Sequence, residues 1–200
     1  MGLWAALLLA ACTQSDSEPT VTVSPFRGSV LGQPIAAADF ELKDQHGQAF
    51  RLSEQRGKVV LLFFGYVSCP DVCPTTLSAW KRAYDTLGGQ AEDTRFVFIT
   101  VDPERDTPAR LKLHLELFNP EFVGLTGTLQ ELEPIYQAYG VYYEKQPAPE
   151  SALGYLVSHT SSDYVIDTAG NWRLRHAFGA SGQDIAHDIL VLLEEQVNGE

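Results

Sequence analysis

The hydrophobic pattern of the chain is dominated by a nearly unbroken apolar run at residues 58–66, with the sequence KVVLLFFGY. A run this rich in Val and Phe predicts a β-strand that is covered on both faces. In residues 74–87 apolar side chains recur every three or four positions and a proline opens the segment, which predicts a helix. The other elements predicted from the pattern are a hairpin at residues 40–52, strands at 96–101 and 123–125, helices at 108–118 and 128–139, a second hairpin at 164–178 and a helix that begins at Ser181.

Strands and helices therefore alternate along most of the chain. This alternation predicts an α/β fold in which a central mixed β-sheet lies between helices and an N-terminal β-hairpin precedes it. Two helix starts have recognisable caps: Thr128 and Glu131 form a capping box, and Asp106 or Thr107 precedes the helix at 108–118. The sequence shows no internal repeat, and residues 32–200 are predicted to form one domain.

The first 31 residues differ from this domain in composition. Residues 1–11, MGLWAALLLAA, carry no charge and are too few to cross a bilayer, so they are interpreted as the apolar part of a signal peptide. The sequence LAAC that ends at Cys12 resembles a bacterial lipobox, in which Cys12 would be lipidated. Residues 12–31 would then be the lipidated N-terminus and a flexible tether. The alternative is an N-terminal helix in which Cys12 is an incidental small residue.

Composition and charge limit the possible partners. A chain of 200 residues with 44% hydrophobic side chains can form a core without help from a metal or a disulfide. Its 14 basic and 26 acidic side chains give a net charge of −12, which repels nucleic-acid phosphates. Nucleic acid is therefore excluded as an expected partner.

Candidate chemistry lies where the long apolar strand ends. Cys69 and Cys73 stand between this strand and the helix that follows, where free amide N–H groups and the helix dipole favour a thiolate. Their spacing places both sulfurs on one side of a first helical turn. Such a pair can bind a soft metal or close a small disulfide, and the spacing alone leaves both open.

A third ligand would favour metal binding, and the chain has five histidines. His159 is the candidate, because residues 156–162 are predicted to form a polar loop that leads directly into a strand at one edge of the sheet. The remaining histidines are expected in a hairpin turn (His46), mid-helix among charged residues (His114), packed in the sheet (His176) and at a helix surface (His187).

Three motifs in this order closely resemble the Sco/SenC family: FGYVSCPDVCP at residues 64–74, VDPERDTP at 101–108, and His159 ahead of DYVID at 163–167. The resemblance implies a thioredoxin-like fold and a membrane-anchored protein that faces the periplasm or its equivalent. It further implies that Cys69, Cys73 and His159 bind copper, as Cu(I) and also Cu(II). Ser158 departs from the pattern, because many members carry Asp immediately before the histidine.

Two functions are open at this point. The first, which the resemblance implies, is a metallochaperone that delivers copper to the subunit of cytochrome c oxidase that carries the copper A site, with another periplasmic copper chaperone as a further partner. The second is a thiol–disulfide oxidoreductase acting on exported cysteine pairs, with Cys69 and Cys73 as the catalytic couple. Residues 102–108 are expected to form a loop near the site with internal Asp–Arg pairing, without a catalytic role. General thioredoxin-like oxidoreductases resemble one another in a Cys-x-x-Cys pair and in a proline just before the strand that faces it. This chain has three residues between its cysteines and no proline after Pro149, which favours metal binding over general redox exchange.

Overall fold

The computed structural model describes residues 24–197 and residue 199. An eight-stranded mixed sheet, in the order β1-β10-β9-β4-β5-β6-β2-β3, forms the centre of this part of the chain, and β7 and β8 form a separate two-stranded sheet. The strands are β1 (Ser29–Ala36), β2 (Glu41–Asp44), β3 (Ala49–Arg51), β4 (Val59–Gly65), β5 (Thr94–Thr100), β6 (Val123–Thr126), β7 (Tyr143–Ala148), β8 (Gly154–His159), β9 (Asp163–Ile166) and β10 (Asn171–His176). The helices are α1 (Val72–Leu87), α2 (Pro108–Glu116), α3 (Leu129–Ala138) and α4 (Gly182–Val197), with 3-10 turns at Leu52–Gln55 and Gly88–Asp93.

Strand β4 is the centre of the sheet, as its apolar run predicted. Every one of its residues is buried. It pairs in parallel with β5 and antiparallel with β9, and β5 pairs in parallel with β6. The predicted α/β class with a mixed central sheet is confirmed, and the hairpin of β2 and β3 lies where the sequence predicted the N-terminal hairpin.

Helix α1 packs on the sheet through the stripe that predicted it, because Leu77, Trp80 and Ala83 are all fully buried. The helix begins at Val72, two residues before Pro74, so Cys73 lies within its first turn. Helix α4 crosses α1 very closely, since a Cβ on Gly182 would lie 2.6 Å from the Ala79 carbonyl oxygen.

Both predicted helix caps are present. The Thr128–Glu131 capping box opens α3, with both reciprocal hydrogen bonds formed. Of the two residues considered for α2, Thr107 is the cap, because its side chain accepts a hydrogen bond from the Arg110 N–H. Asp106 has a different role, described below.

The N-terminal boundary differs from the prediction. Strand β1 begins at Ser29 and pairs with β10, so residues 29–31 belong to the sheet and not to a tether. Just before it, the buried carboxylate of Asp188 on α4 accepts hydrogen bonds of 2.8 Å from the Arg27 and Gly28 N–H groups. Cys12 and the predicted signal peptide lie outside the described residues. No helix within residues 24–197 has the length and apolar character needed to cross a membrane.

The hairpin of β7 and β8 was not predicted. Residues 156–159, expected in a polar loop, are the last four of the six residues of β8, and His159 ends that strand, opposite Tyr143. The loop is limited to residues 160–162. Polar side chains on β8 gave the impression of a loop because the outer face of this short hairpin is exposed to solvent.

Asp163 provides a test of the core, since it is buried at the start of β9 and accepts a hydrogen bond of 3.0 Å from Trp80 Nε1. Burial raises the pKa of this carboxyl to about 7, although the hydrogen bond from Trp80 acts to lower it. An acid whose pKa is higher in the folded state binds protons more tightly there, so its contribution to stability falls as pH rises from about 4 to about 7.

We therefore expect Asp163→Asn, which keeps an acceptor for Trp80, to become more stable relative to the parent protein as pH rises. The difference in free energy of unfolding should grow by about 3 kcal/mol between about pH 5 and about pH 8 in urea titrations. Asp106 is present in both proteins, so its own titration cancels in the difference. A pH-independent difference would show that Asp163 is ionised in the folded protein.

Candidate metal centre

The two cysteines lie at the carboxyl end of β4. Cys69 is half-buried in the loop after the strand, and Cys73 is buried in the first turn of α1. Gly65 allows this close approach, because a Cβ there would lie 2.8 Å from Cys73 Sγ and 2.7 Å from the Phe63 ring. A larger residue at position 65 would therefore displace the Cys73 sulfur from the end of the strand.

His159 meets the two cysteines at this point. The ligand atoms of Cys69, Cys73 and His159 all lie within 4.8 Å of one another, and no other such cluster of His, Cys, Asp or Glu occurs among the described residues. His159 Nε2 is 3.6 Å from Cys73 Sγ, and the Cys73 backbone N–H donates to Cys69 Sγ at 3.4 Å. The structure thus brings together all three residues that the sequence analysis proposed as ligands.

The orientation of the imidazole leaves the correct nitrogen free. His159 Nδ1 is 3.0 Å from the Thr160 carbonyl oxygen, which can only accept a hydrogen bond, so Nδ1 carries the proton. Nε2 then presents its lone pair to the sulfurs, as a metal-binding histidine requires. The rings of Phe63 and Tyr66 contact the imidazole edge-on, with centroids 5.9 and 5.7 Å away, and limit its rotation.

The two thiols differ in acidity because their surroundings differ. A hydrogen bond from the Cys73 thiol lowers the pKa of Cys69 to about 4 despite partial burial, and backbone N–H groups act in the same direction. Burial, and then the hydrogen bond and charge of Cys69, raise the pKa of Cys73 well above its usual range. At neutral pH the metal-free pair is therefore one thiolate and one thiol.

This donor set is soft and compact. Two sulfur ligands and one neutral imidazole suit Cu(I), and they also suit Zn²⁺ when water completes the coordination. Both cysteines are free, so the same pair can also be oxidised to a disulfide.

Asp106 fixes the start of the cysteine loop, a role that the sequence analysis missed by considering it only as a helix cap. Its buried Oδ2 accepts hydrogen bonds from the Val67 N–H at 3.0 Å and from Thr100 Oγ1 at 2.7 Å. Burial raises the pKa of this carboxyl to about 6. The motif DxxxD, at residues 102–106, was the available signal, because two Asp side chains in a short loop at the end of a buried strand need hydrogen-bond donors.

The expected Asp–Arg pairing in the loop at residues 102–108 is present between Asp102 and Arg105. Asp71, between the cysteines, stands at the position before α1 and makes no side-chain capping bond. The other histidines are elsewhere: His46 is exposed in its turn, His114 packs on Phe98 and Phe118, His176 is buried beside Asp188, and His187 contacts the Pro25 carbonyl oxygen.

Known proteins share this sequence and this fold. The family model described as SCO1/SenC matches residues 29–194. An SCO2-like protein from Rickettsia felis is 39% identical over 140 residues, which cover 70% of this chain and 68% of the relative.

Solved structures give the same relationship. The copper-bound structure of Bradyrhizobium japonicum ScoI is 36% identical with a TM-score of 0.72, covering 78% of this chain and 99% of that one. Copper-bound yeast Sco1 is 30% identical with a TM-score of 0.72, covering 84% and 96%. A thioredoxin-family protein from Chlorobium tepidum, at 17% identity and a TM-score of 0.58 over 82% of this chain and 99% of that one, shares the fold alone. The fold is therefore thioredoxin-like, as the resemblance implied, and the chain belongs to the SCO1/SenC family.

Proposed function

We propose that this protein binds copper through Cys69, Cys73 and His159 and transfers it to the copper A site of cytochrome c oxidase during assembly. The observation that carries the proposal is the convergence of three ligand atoms within 4.8 Å. The copper-bound state of two family members supports copper as the metal.

The geometry suits a metal that is passed on. Three protein ligands leave Cu(I) open to attack by an incoming ligand. Cys69 and His159 are both partly exposed, near the carboxyl end of β4. A cysteine or histidine of a recipient can therefore bind before the donor ligands leave. The recipient we propose is the oxidase subunit that carries the copper A site, and a second periplasmic copper chaperone would supply the metal.

A specific observation also supports thiol–disulfide exchange. Cys69 is a thiolate at neutral pH and lies beside a second thiol, so it can attack a disulfide in a substrate protein to give a mixed disulfide. Attack by Cys73 on Cys69 then releases the substrate as a reduced dithiol and leaves a Cys69–Cys73 disulfide. Two electrons pass from this pair to the substrate, and an external dithiol reductant must restore it.

We also propose that the chain is attached to the bacterial cell membrane by lipid on Cys12 and faces the periplasm or extracytoplasmic space. The LAAC sequence that ends at Cys12 supports this location.

His159→Ala should weaken Cu(I) binding by at least about tenfold, or about 1.4 kcal/mol, because it removes one of three ligands. Anaerobic titration of the reduced protein against a chelating competitor measures this. His46→Ala is the matched control, since His46 is exposed in a turn away from the sulfurs, and it should leave the affinity unchanged. If His159→Ala bound Cu(I) as tightly as the parent protein, His159 would not be a ligand.

The reactivity of Cys69 tests the thiolate. Because its pKa is about 4, alkylation by iodoacetamide should be almost independent of pH between about pH 6 and about pH 8. An ordinary thiol with a pKa near 8.5 would react about tenfold faster for each pH unit that the pH rises over the same range. Cys69→Ser, which leaves only the buried Cys73 in the site, should react far more slowly. A steep pH dependence in the parent protein would contradict an ionised Cys69.

Fractionation of cells tests the anchor. The parent protein should be found with membranes and label with palmitate, whereas Cys12→Ala should lose the label. Cys69→Ser is the control, because loss of that thiol should leave both the label and the membrane fraction unchanged. Equal labelling of Cys12→Ala and the parent protein would exclude lipidation at Cys12.

A further inference from the structure

We infer that Arg105 and Asp102 are positioning residues that hold His159 against the two cysteines. This inference rests on the proposed function, because it concerns the copper affinity of the same site. It assigns a role to the loop at residues 102–108, for which the sequence predicted only internal pairing.

The need for such residues follows from the topology. Strands β7 and β8 hydrogen-bond only to each other and not to the eight-stranded sheet. An isolated two-stranded hairpin is marginally stable in water. Since His159 is the last residue of β8, its distance from the sulfurs depends on what fixes this hairpin to the rest of the domain.

Arg105 contacts the hairpin both through hydrogen bonds and through the face of its guanidinium group. Its Nη1 donates to the carbonyl oxygens of Leu153 at 3.1 Å and Tyr155 at 3.0 Å. The centre of the guanidinium also lies 3.7 Å from the centroid of the Tyr155 ring, within cation–π range. The Arg105 side chain is only 17% exposed, so water weakens these contacts less than it would at the surface.

Asp102 fixes Arg105 and contacts the hairpin itself. Its fully buried carboxylate pairs with Arg105 Nε through Oδ2 and accepts from the Tyr155 hydroxyl at 2.8 Å through Oδ1. Its own N–H donates to Thr100 Oγ1 at 2.9 Å, at the end of β5. A continuous set of contacts therefore runs from the buried end of β5 to Tyr155.

The geometry of β8 links the position of Tyr155 to the position of His159. The side chains of Tyr155, Val157 and His159 occupy every second position of β8 and therefore lie on the same face of the strand. Val157 is buried, and its N–H donates to the Tyr66 hydroxyl at 3.2 Å. Tyr66 in turn contacts the His159 ring and lies 5.8 Å from the Arg105 guanidinium. Loss of the contacts at Tyr155 should therefore release the end of β8 that carries the imidazole.

We expect Arg105→Met to weaken Cu(I) binding by about tenfold, a magnitude typical for partners that orient a ligand. Arg105→Lys should not restore the affinity, because an ammonium group cannot donate to both carbonyl oxygens while lying flat on the Tyr155 ring. Lys112→Met is the matched control: it also removes one positive charge, from an exposed ion pair with Glu116 on α2 at 3.9 Å, and should leave the affinity unchanged.

A double-mutant cycle distinguishes positioning from general destabilisation. If Arg105 acts through His159, the combination of Arg105→Met with His159→Ala should bind no more weakly than His159→Ala alone. Fully additive losses, or an Arg105→Met affinity equal to that of the parent protein, would overturn the inference.

Hydrogen exchange of the metal-free, reduced full chain provides a readout without copper. Arg105→Met should speed exchange of the β8 amides, including Val157, while the β4 amides exchange as in the parent protein. Unchanged protection of β8 would overturn the inference even if copper binding fell. If the parent protein and His159→Ala bound Cu(I) equally, the proposed ligand set would fail, whereas the exchange experiment would still decide whether Arg105 fixes the hairpin.

Discussion

The burial of β4 on both faces is the constraint on which the rest of the structure depends. Because this strand has no freedom to shift, the position of Gly65 at its carboxyl end is fixed, and the Val101 N–H donates to the Gly65 carbonyl oxygen at 2.8 Å. The cysteine loop and the loop at residues 102–108 therefore start side by side. Asp106 then joins them through its bonds to the Val67 N–H and Thr100. The thiols are consequently positioned by the core of the domain.

The imidazole is positioned by a different kind of structure. His159 comes from a hairpin that shares no main-chain hydrogen bonds with the central sheet, so side-chain contacts set its place. The two sulfurs and the nitrogen of the site are therefore positioned by different parts of the domain. The same site is compatible with thiol–disulfide exchange, because both cysteines are free and Cys69 is partly exposed. The two proposed functions therefore use the same cysteine pair.

The sequence predicted those elements whose burial pattern is strong. The unbroken apolar run of β4 and the apolar stripes of α1 and α4 all face the core, so their hydrophobic patterns are visible in the sequence. Strand β1 was missed because nearly all of its residues are exposed and it contains Gly32 and Pro34. Strand β7 was missed for the same reason, since YEKQPA is mostly polar and exposed. Edge strands of this kind are held by partners distant in the chain, which a local pattern does not reveal.

In the candidate site, too, local features could be predicted from the sequence and contacts distant in the chain could not. The sequence located the cysteines from local signals, a buried strand and a helix start, but His159 required a contact across 86 residues of chain that spacing alone could not establish.

The structure also limits what Ser158 can do. Its side chain is exposed and lies on the face of β8 opposite to His159, beside Glu144 on β7. The group that orients the imidazole is the Thr160 carbonyl, which any residue at position 158 leaves in place. Replacing the more usual Asp by Ser therefore changes the charge of the surface next to the site and leaves the ligands themselves undisturbed.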